Sequence, residues 1–143
     1  MTSKIFKYQI IVLGFLMLLS CNKERKNTNP YLKNISFSRD LNLDLPQYSG
    51  LKFANNSALI DGIGIKGVIV FNTGSSYTAW EASDPNHLPS NCSTMLPDQF
   101  TCQCPCEDNK YSLYDGQKIS GEGDYPLKAY RVSQSGNILH ISN

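Results

Sequence analysis

The chain has 143 residues, with 13 Lys and Arg against 12 Asp and Glu, a formal net charge of +1, and five cysteines. So balanced a charge implies no strongly acidic or basic partner and excludes the basic surface of a nucleic-acid binder. The length suits one domain with a proper core and excludes two. Lys4 and Lys7 precede an apolar run from Ile10 to Leu19. That run is far shorter than the about 20 apolar residues of a membrane-spanning helix, so residues 1–20 read as a cleaved targeting segment.

The run closes on Leu18-Leu19-Ser20-Cys21, which resembles the lipobox of bacterial lipoproteins. The resemblance implies cleavage before Cys21 and lipidation of its thiol. The protein is then expected in the cell envelope, lipid-anchored to a membrane on its periplasmic or surface face. No Arg-Arg pair precedes the run, which points to the general route for unfolded chains. A cofactor inserted before export would not travel that way. Residues 21–40 are expected to be the lipidated cysteine and a flexible tether. Their first part, NKERKNTNPYLKN, has too little apolar surface to offset the entropy of ordering.

From residue 41 to 143 the pattern is that of one β domain. Leu41, Leu43 and Leu45 alternate with Asn42 and Asp44, as on a strand with one buried face. Ala58-Leu59-Ile60 reads as a strand before an Asp61-Gly62 turn, and Gly67-Val68-Ile69-Val70-Phe71 as a fully buried one. Asn72-Thr73-Gly74 turns the chain into Tyr77-Thr78-Ala79-Trp80-Glu81-Ala82, and Ser135-Gly136-Asn137 joins a second hairpin, 129–132 with 138–141. No segment keeps a helical period for three turns. An all-β antiparallel sandwich or small barrel is therefore predicted. Residues 83–109 read as irregular and hold the other cysteines, Cys92, Cys102, Cys104 and Cys106. So long a segment without regular structure is usually functional or cross-linked.

From about residue 67 to 142 the order of features resembles a Rieske domain. The hairpin of 67–71 and 77–82 matches the family's leading one. Cys104-Pro105-Cys106-Glu107-Asp108-Asn109 stands at its second cluster loop, where the family reads Cys-Pro-Cys-His-Gly-Ser. Lys110-Tyr111-Ser112-Leu113-Tyr114-Asp115-Gly116 and Pro126-Leu127-Lys128-Ala129-Tyr130-Arg131-Val132 match the strands that follow. The resemblance implies two loops, about 83–92 and 102–109, that form a former cluster-binding subdomain. A Rieske cluster takes two Cys on one iron and two His on the other. Carried over, His87 and Cys104 match two ligands, while Pro85 stands for the other cysteine and Glu107 for the other histidine. The resemblance thus implies a domain without its [2Fe–2S] cluster. The residues also leave open an atypical [2Fe–2S] centre, or a single metal ion on His87, Cys104 and Glu107, with Asp84 as a further ligand.

Some members of the family tie the two loops together by a disulfide, which would fall here on Cys92 and Cys106. Cys92 with Cys104 is the competing pair. A Cys92–Cys106 bond closes a loop of about 15 residues and contributes about 3 kcal/mol. Trp80, Tyr111, Tyr114, Tyr125 and Tyr130 read as core or sheet-face residues and His140 as structural, while Asp84, Glu107 and Asp108 read as exposed loop carboxylates. No catalytic triad, phosphate loop or paired carboxylates stand out, so a catalyst is not expected. Two functions follow: a cluster-free binding or envelope-structural module with an envelope-protein partner, or an envelope electron-transfer protein with a centre at His87 and Cys104.

Overall fold

The structure, a computed structural model, describes residues 29–143. Residues 1–20, expected to be a targeting segment, Cys21, and residues 22–28 of the expected tether lie outside the described residues. Among the described residues there is no helix long and apolar enough to cross a membrane. Helical structure among them is the single 3-10 turn Ser49–Lys52.

The fold is all-β and antiparallel, as predicted. Six strands form one sheet: β1 Ser38–Asn42, β2 Ser57–Ile60, β3 Val68–Asn72, β4 Tyr77–Glu81, β9 Ala129–Ser135 and β10 Ile138–Ser142. Their order is β1-β10-β9-β4-β3-β2. Four short strands form a second sheet in sequential order: β5 Leu96–Asp98, β6 Thr101–Gln103, β7 Lys110–Ser112 and β8 Lys118–Ser120. Both hairpins read from the sequence are present, with Val70 opposite Ala79 in β3–β4 and Ile138 opposite Ser135 in β9–β10.

The unbroken apolar run of β3 has a structural cause. Successive strand side chains point to opposite faces. Val68 and Val70 enter a core with Leu41, Ala79, Tyr130, Leu139 and Ile141, to which every strand of the six-stranded sheet contributes. Ile69 and Phe71 enter a second core with Trp80, Met95, Cys102, Tyr111 and Leu113, which joins the larger sheet to the smaller. A strand buried on both faces has no polar alternation to display.

Three sequence expectations are revised. Ordered packing begins well before residue 41. Asn29 Nδ2 donates to Pro85 O at 2.7 Å, Lys128 Nζ donates to Lys33 O and to Asn34 Oδ1, and Leu32 is buried. Phe37 stands edge-on to Tyr130, and β1 starts at Ser38. A polar composition does not report that its backbone and a single leucine find partners on the domain. Leu45 is exposed, because β1 ends at Asn42. The Asn42 side chain and carbonyl accept the N–H groups of Asp44 and Leu45 and close a turn. Residues 83–109 are less irregular than they read. They carry β5 and β6, and Ser83 bridges to Thr94. Three-residue strands lie below the length at which alternation is visible. Of the aromatics, Tyr114 is half exposed, although its ring stands edge-on to Phe71.

Candidate functional site

The two loops meet around Asp84, which follows β4 and is fully buried. Its place as an exposed loop carboxylate is therefore corrected. A buried carboxylate needs partners for its lone pairs, and the local sequence supplies them. Oδ1 accepts the Asn86 N–H at 2.8 Å and the Tyr111 hydroxyl at 2.9 Å, and Oδ2 accepts Asn109 Nδ2 at 3.0 Å. Asn86 Nδ2 donates to the Tyr111 oxygen and to Tyr125 O, and its own Oδ1 accepts the Tyr125 N–H. Asn109 Oδ1 accepts the Glu122 N–H at 2.8 Å. Gly121, at φ +100°, has no Cβ where the Asn109 side chain lies. One network thus joins the first loop, the second loop, β7 and the turn after β8.

The second loop is a tight turn. The Cys104 N–H donates to Asn109 O at 2.8 Å, and the Asp108 N–H donates to Cys104 O at 3.0 Å. That geometry leaves Cys106 at the turn's tip and half-buried, and it turns Cys104 inward to full burial. Cys92 and Cys106 form a disulfide with a Cα–Cα distance of 5.3 Å, and Cys102 and Cys104 remain free thiols. Burial raises the Cys104 thiol pKa, against the backbone N–H groups of Cys106 and Glu107, which hydrogen-bond its sulfur and lower it. Cys102, packed against Met95, is pushed up to about 12, first by burial and then by the charges of Asp84 and Cys104. Burial likewise raises the Tyr111 hydroxyl, with a smaller contribution from Asp84.

His87 reaches across the loop junction. Its Nδ1 lies 2.9 Å from Leu88 O. A carbonyl only accepts, so that contact is donated by Nδ1–H, and Nε2 is the ring nitrogen that faces the second loop. Cys104 Sγ lies 3.3 Å from Nε2, within hydrogen-bond distance, and Asp84 Oδ2 is 3.9 Å from the same nitrogen. His87, Cys104 and Cys106 place their ligand atoms within 4.8 Å of one another. Glu107 is exposed and stands outside that group. His140 is on β10, next to the edge strand β1 of the large sheet, paired with Asp40 across β1–β10 at 2.6 Å.

The donors here do not match a Rieske set. That set is two thiolates and two imidazoles; the loops offer one imidazole, His87, and two free thiols, of which Cys104 meets His87 while Cys102 is packed against Met95, with Cys92 and Cys106 bonded to each other. Pro85 has no ligand atom, and the Glu107 carboxylate is a hard donor poorly suited to an iron–sulfur unit. His87 and Cys104 also touch directly, whereas a two-iron unit would have to stand between them.

Sequence reasoning missed the roles of Asn86, Asn109, Gly121 and Glu81. The Asp84-Pro85-Asn86 run is a turn signal that hints at the first. Glu81, on β4, is fully buried; it accepts the N–H groups of Ile65, Lys66 and Ser83 and the Tyr130 hydroxyl, the last at 2.6 Å. Nothing local to Glu81 announces those partners.

No family model matches the chain, and no curated protein matches it. Solved structures do. The complex of reduced oxygenase and oxidized ferredoxin in carbazole 1,9a-dioxygenase aligns at 17% identity and TM-score 0.48, over 62% of this chain and 82% of that one. The Sphingomonas yanoikuyae B1 ferredoxin aligns at 13% identity and TM-score 0.48, over 64% of this chain and 88% of the ferredoxin. A protein named as an NADH-dependent nitrite reductase small subunit from Mycobacterium tuberculosis aligns at 16% identity and TM-score 0.45, over 77% of this chain and 97% of that one. Similarity at this level concerns the course of the chain and carries no chemistry with it.

Proposed function

We propose that this is an exported lipoprotein, anchored to a membrane of the cell envelope through Cys21. Its Rieske-like domain holds no iron–sulfur cluster and acts as a binding or envelope-structural module. The observation that carries the reading is the loop junction itself. Cys92 is bonded to Cys106, Cys104 bonds to His87, and Asp84 is satisfied by Asn86, Asn109 and Tyr111. The loops are held by their own side chains. Exposed Leu96 on β5, which lines one surface pocket with Pro105 of the second loop, supports a partner-binding role. The partner would be another envelope protein.

The test is iron, acid-labile sulfide and a visible spectrum on the full chain, isolated anaerobically from the envelope in detergent. A colourless, iron-free protein with two free thiols is the expected result. About two irons and two sulfides per chain would overturn it in favour of an envelope electron-transfer protein with a centre at His87 and Cys104. The anchor is tested separately, by mass analysis of the N-terminal peptide. A diacylglyceryl-modified Cys21 is expected, and an unmodified one would refute the lipoprotein reading.

A further inference from the structure

The disulfide sits beside the Cys104 thiol and His87 Nε2, and these two already lie close to the separation of metal ligands. In a tetrahedral zinc site, with Zn–S about 2.3 Å and Zn–N about 2.0–2.1 Å, a sulfur and a nitrogen ligand stand about 3.6 Å apart. His87 Nε2 and Cys104 Sγ are 3.3 Å apart, and Cys106 Sγ lies within 4.8 Å of both. We propose that reductive opening of Cys92–Cys106 converts this cluster into a mononuclear zinc-type site of three thiolates and one imidazole, with Cys92, Cys104, Cys106 and His87 as ligands.

The chemistry balances. A dithiol reductant supplies two electrons and two protons and itself closes to a disulfide; the Cys92–Cys106 sulfur–sulfur bond breaks and leaves two thiols. A divalent ion then displaces the thiol protons of Cys92, Cys104 and Cys106 to solvent. The result is a four-coordinate Cys₃His set, a recurrent structural zinc site.

The surroundings suit it. The carbonyl of Leu88 holds His87 Nδ1–H and leaves Nε2 as the ligand atom. Cys92 is exposed on its loop and Cys106 is half-buried at its turn, so the two sulfurs can part to a ligand separation without moving the core. In an oxidising compartment the disulfide is the resting state, and the metal site is then latent, available only after reduction.

The proposal rests on the domain holding no iron–sulfur cluster, since that unit would claim Cys104 and His87. The experiment therefore begins with iron and sulfide analysis of the isolated full chain. The same sample is then reduced with a phosphine, desalted anaerobically and titrated with Co²⁺ as a spectroscopic probe. One Co²⁺ per reduced chain is expected, with thiolate charge-transfer absorption and the visible bands of tetrahedral cobalt, bleached on addition of Zn²⁺. The disulfide form should give neither. Cys106→Ser and His87→Ala should each weaken binding by about tenfold or more. Glu107→Gln, at an exposed position, should bind as the parent does. Iron and sulfide in the isolated protein would overturn both readings. A colourless protein that ignores Co²⁺ after reduction, binds it equally with the disulfide intact, or loses it on Glu107→Gln would overturn this one alone.

Discussion

Two buried groups dominate at the scale of the residue, and each makes a prediction. Asp84 accepts hydrogen bonds from Asn86, Tyr111 and Asn109 at full burial. Asp84→Ala would strand the Tyr111 hydroxyl and the Asn109 amide away from water, so chemical denaturation should report a loss of about 3 kcal/mol. Cys102 acts through protonation. Its folded-state pKa of about 12 lies above the ordinary 9.0. Below pH 9 the thiol is neutral folded and unfolded, and its contribution is fully present. Between about 9 and 12 the unfolded chain gives up a proton that the folded chain keeps, so stability falls as pH rises, by at most about 1.4 kcal/mol per unit. Cys102→Ala should make that alkaline decline shallower in denaturant midpoints measured against pH. The raised hydroxyls of Tyr111 and Tyr130 would keep some of the slope.

Turns and pairings act at the scale of the element. The β7–β8 turn is held on β4 because Gly116, at φ +72°, lies against the Trp80 ring, where an added Cβ would come within 2.6 Å of Cζ3. Trp80 cannot retreat, since its Nε1–H donates to Leu113 O at 2.8 Å and to Thr78 Oγ1 at 3.0 Å. Gly116→Ala combines a left-handed backbone with overpacking and should cost about 2–3 kcal/mol in thermal or chemical unfolding. The hairpins β3–β4 and β9–β10 were legible in the sequence because each carries its signal within its own few residues. Leu45 misled because alternation continues past the point where the Asn42 side chain ends the strand.

Over the whole molecule, the large sheet is held by a core to which all its strands contribute, while the small sheet is held by the second core and by the loop junction. The Cys92–Cys106 bond spans 14 residues of sequence. Cys106→Ser should lower stability by about 3 kcal/mol with no change in visible absorption, as measured by denaturant titration beside a spectrum. An unchanged midpoint would remove the cross-link from the account of stability. The segment from Asn29 to Phe37 is part of this whole. It bonds to Pro85 and Lys128 and packs on Tyr130, so Asn29 lies beside the first loop.

By itself the sequence determined the all-β class, the strands of both hairpins, the doubly buried run of β3, and the two loops in which the remaining cysteines fall. The class, the hairpins and the β3 run are written in periodicity and turn residues, which act between near neighbours; the two loops were implied by the resemblance to a Rieske domain. It also narrowed the ligands, since the residue types at 85, 87, 104 and 107 are read directly. Tertiary structure alone decided that Asp84 is buried, that Asn109 and Tyr111 satisfy it and that residues 29–37 pack, and it chose the Cys92–Cys106 pair that the resemblance implied over Cys92–Cys104, with Cys104 turned inward to His87. Each of these joins segments distant in the chain, and a local pattern reports which face of an element is buried but not what buries it.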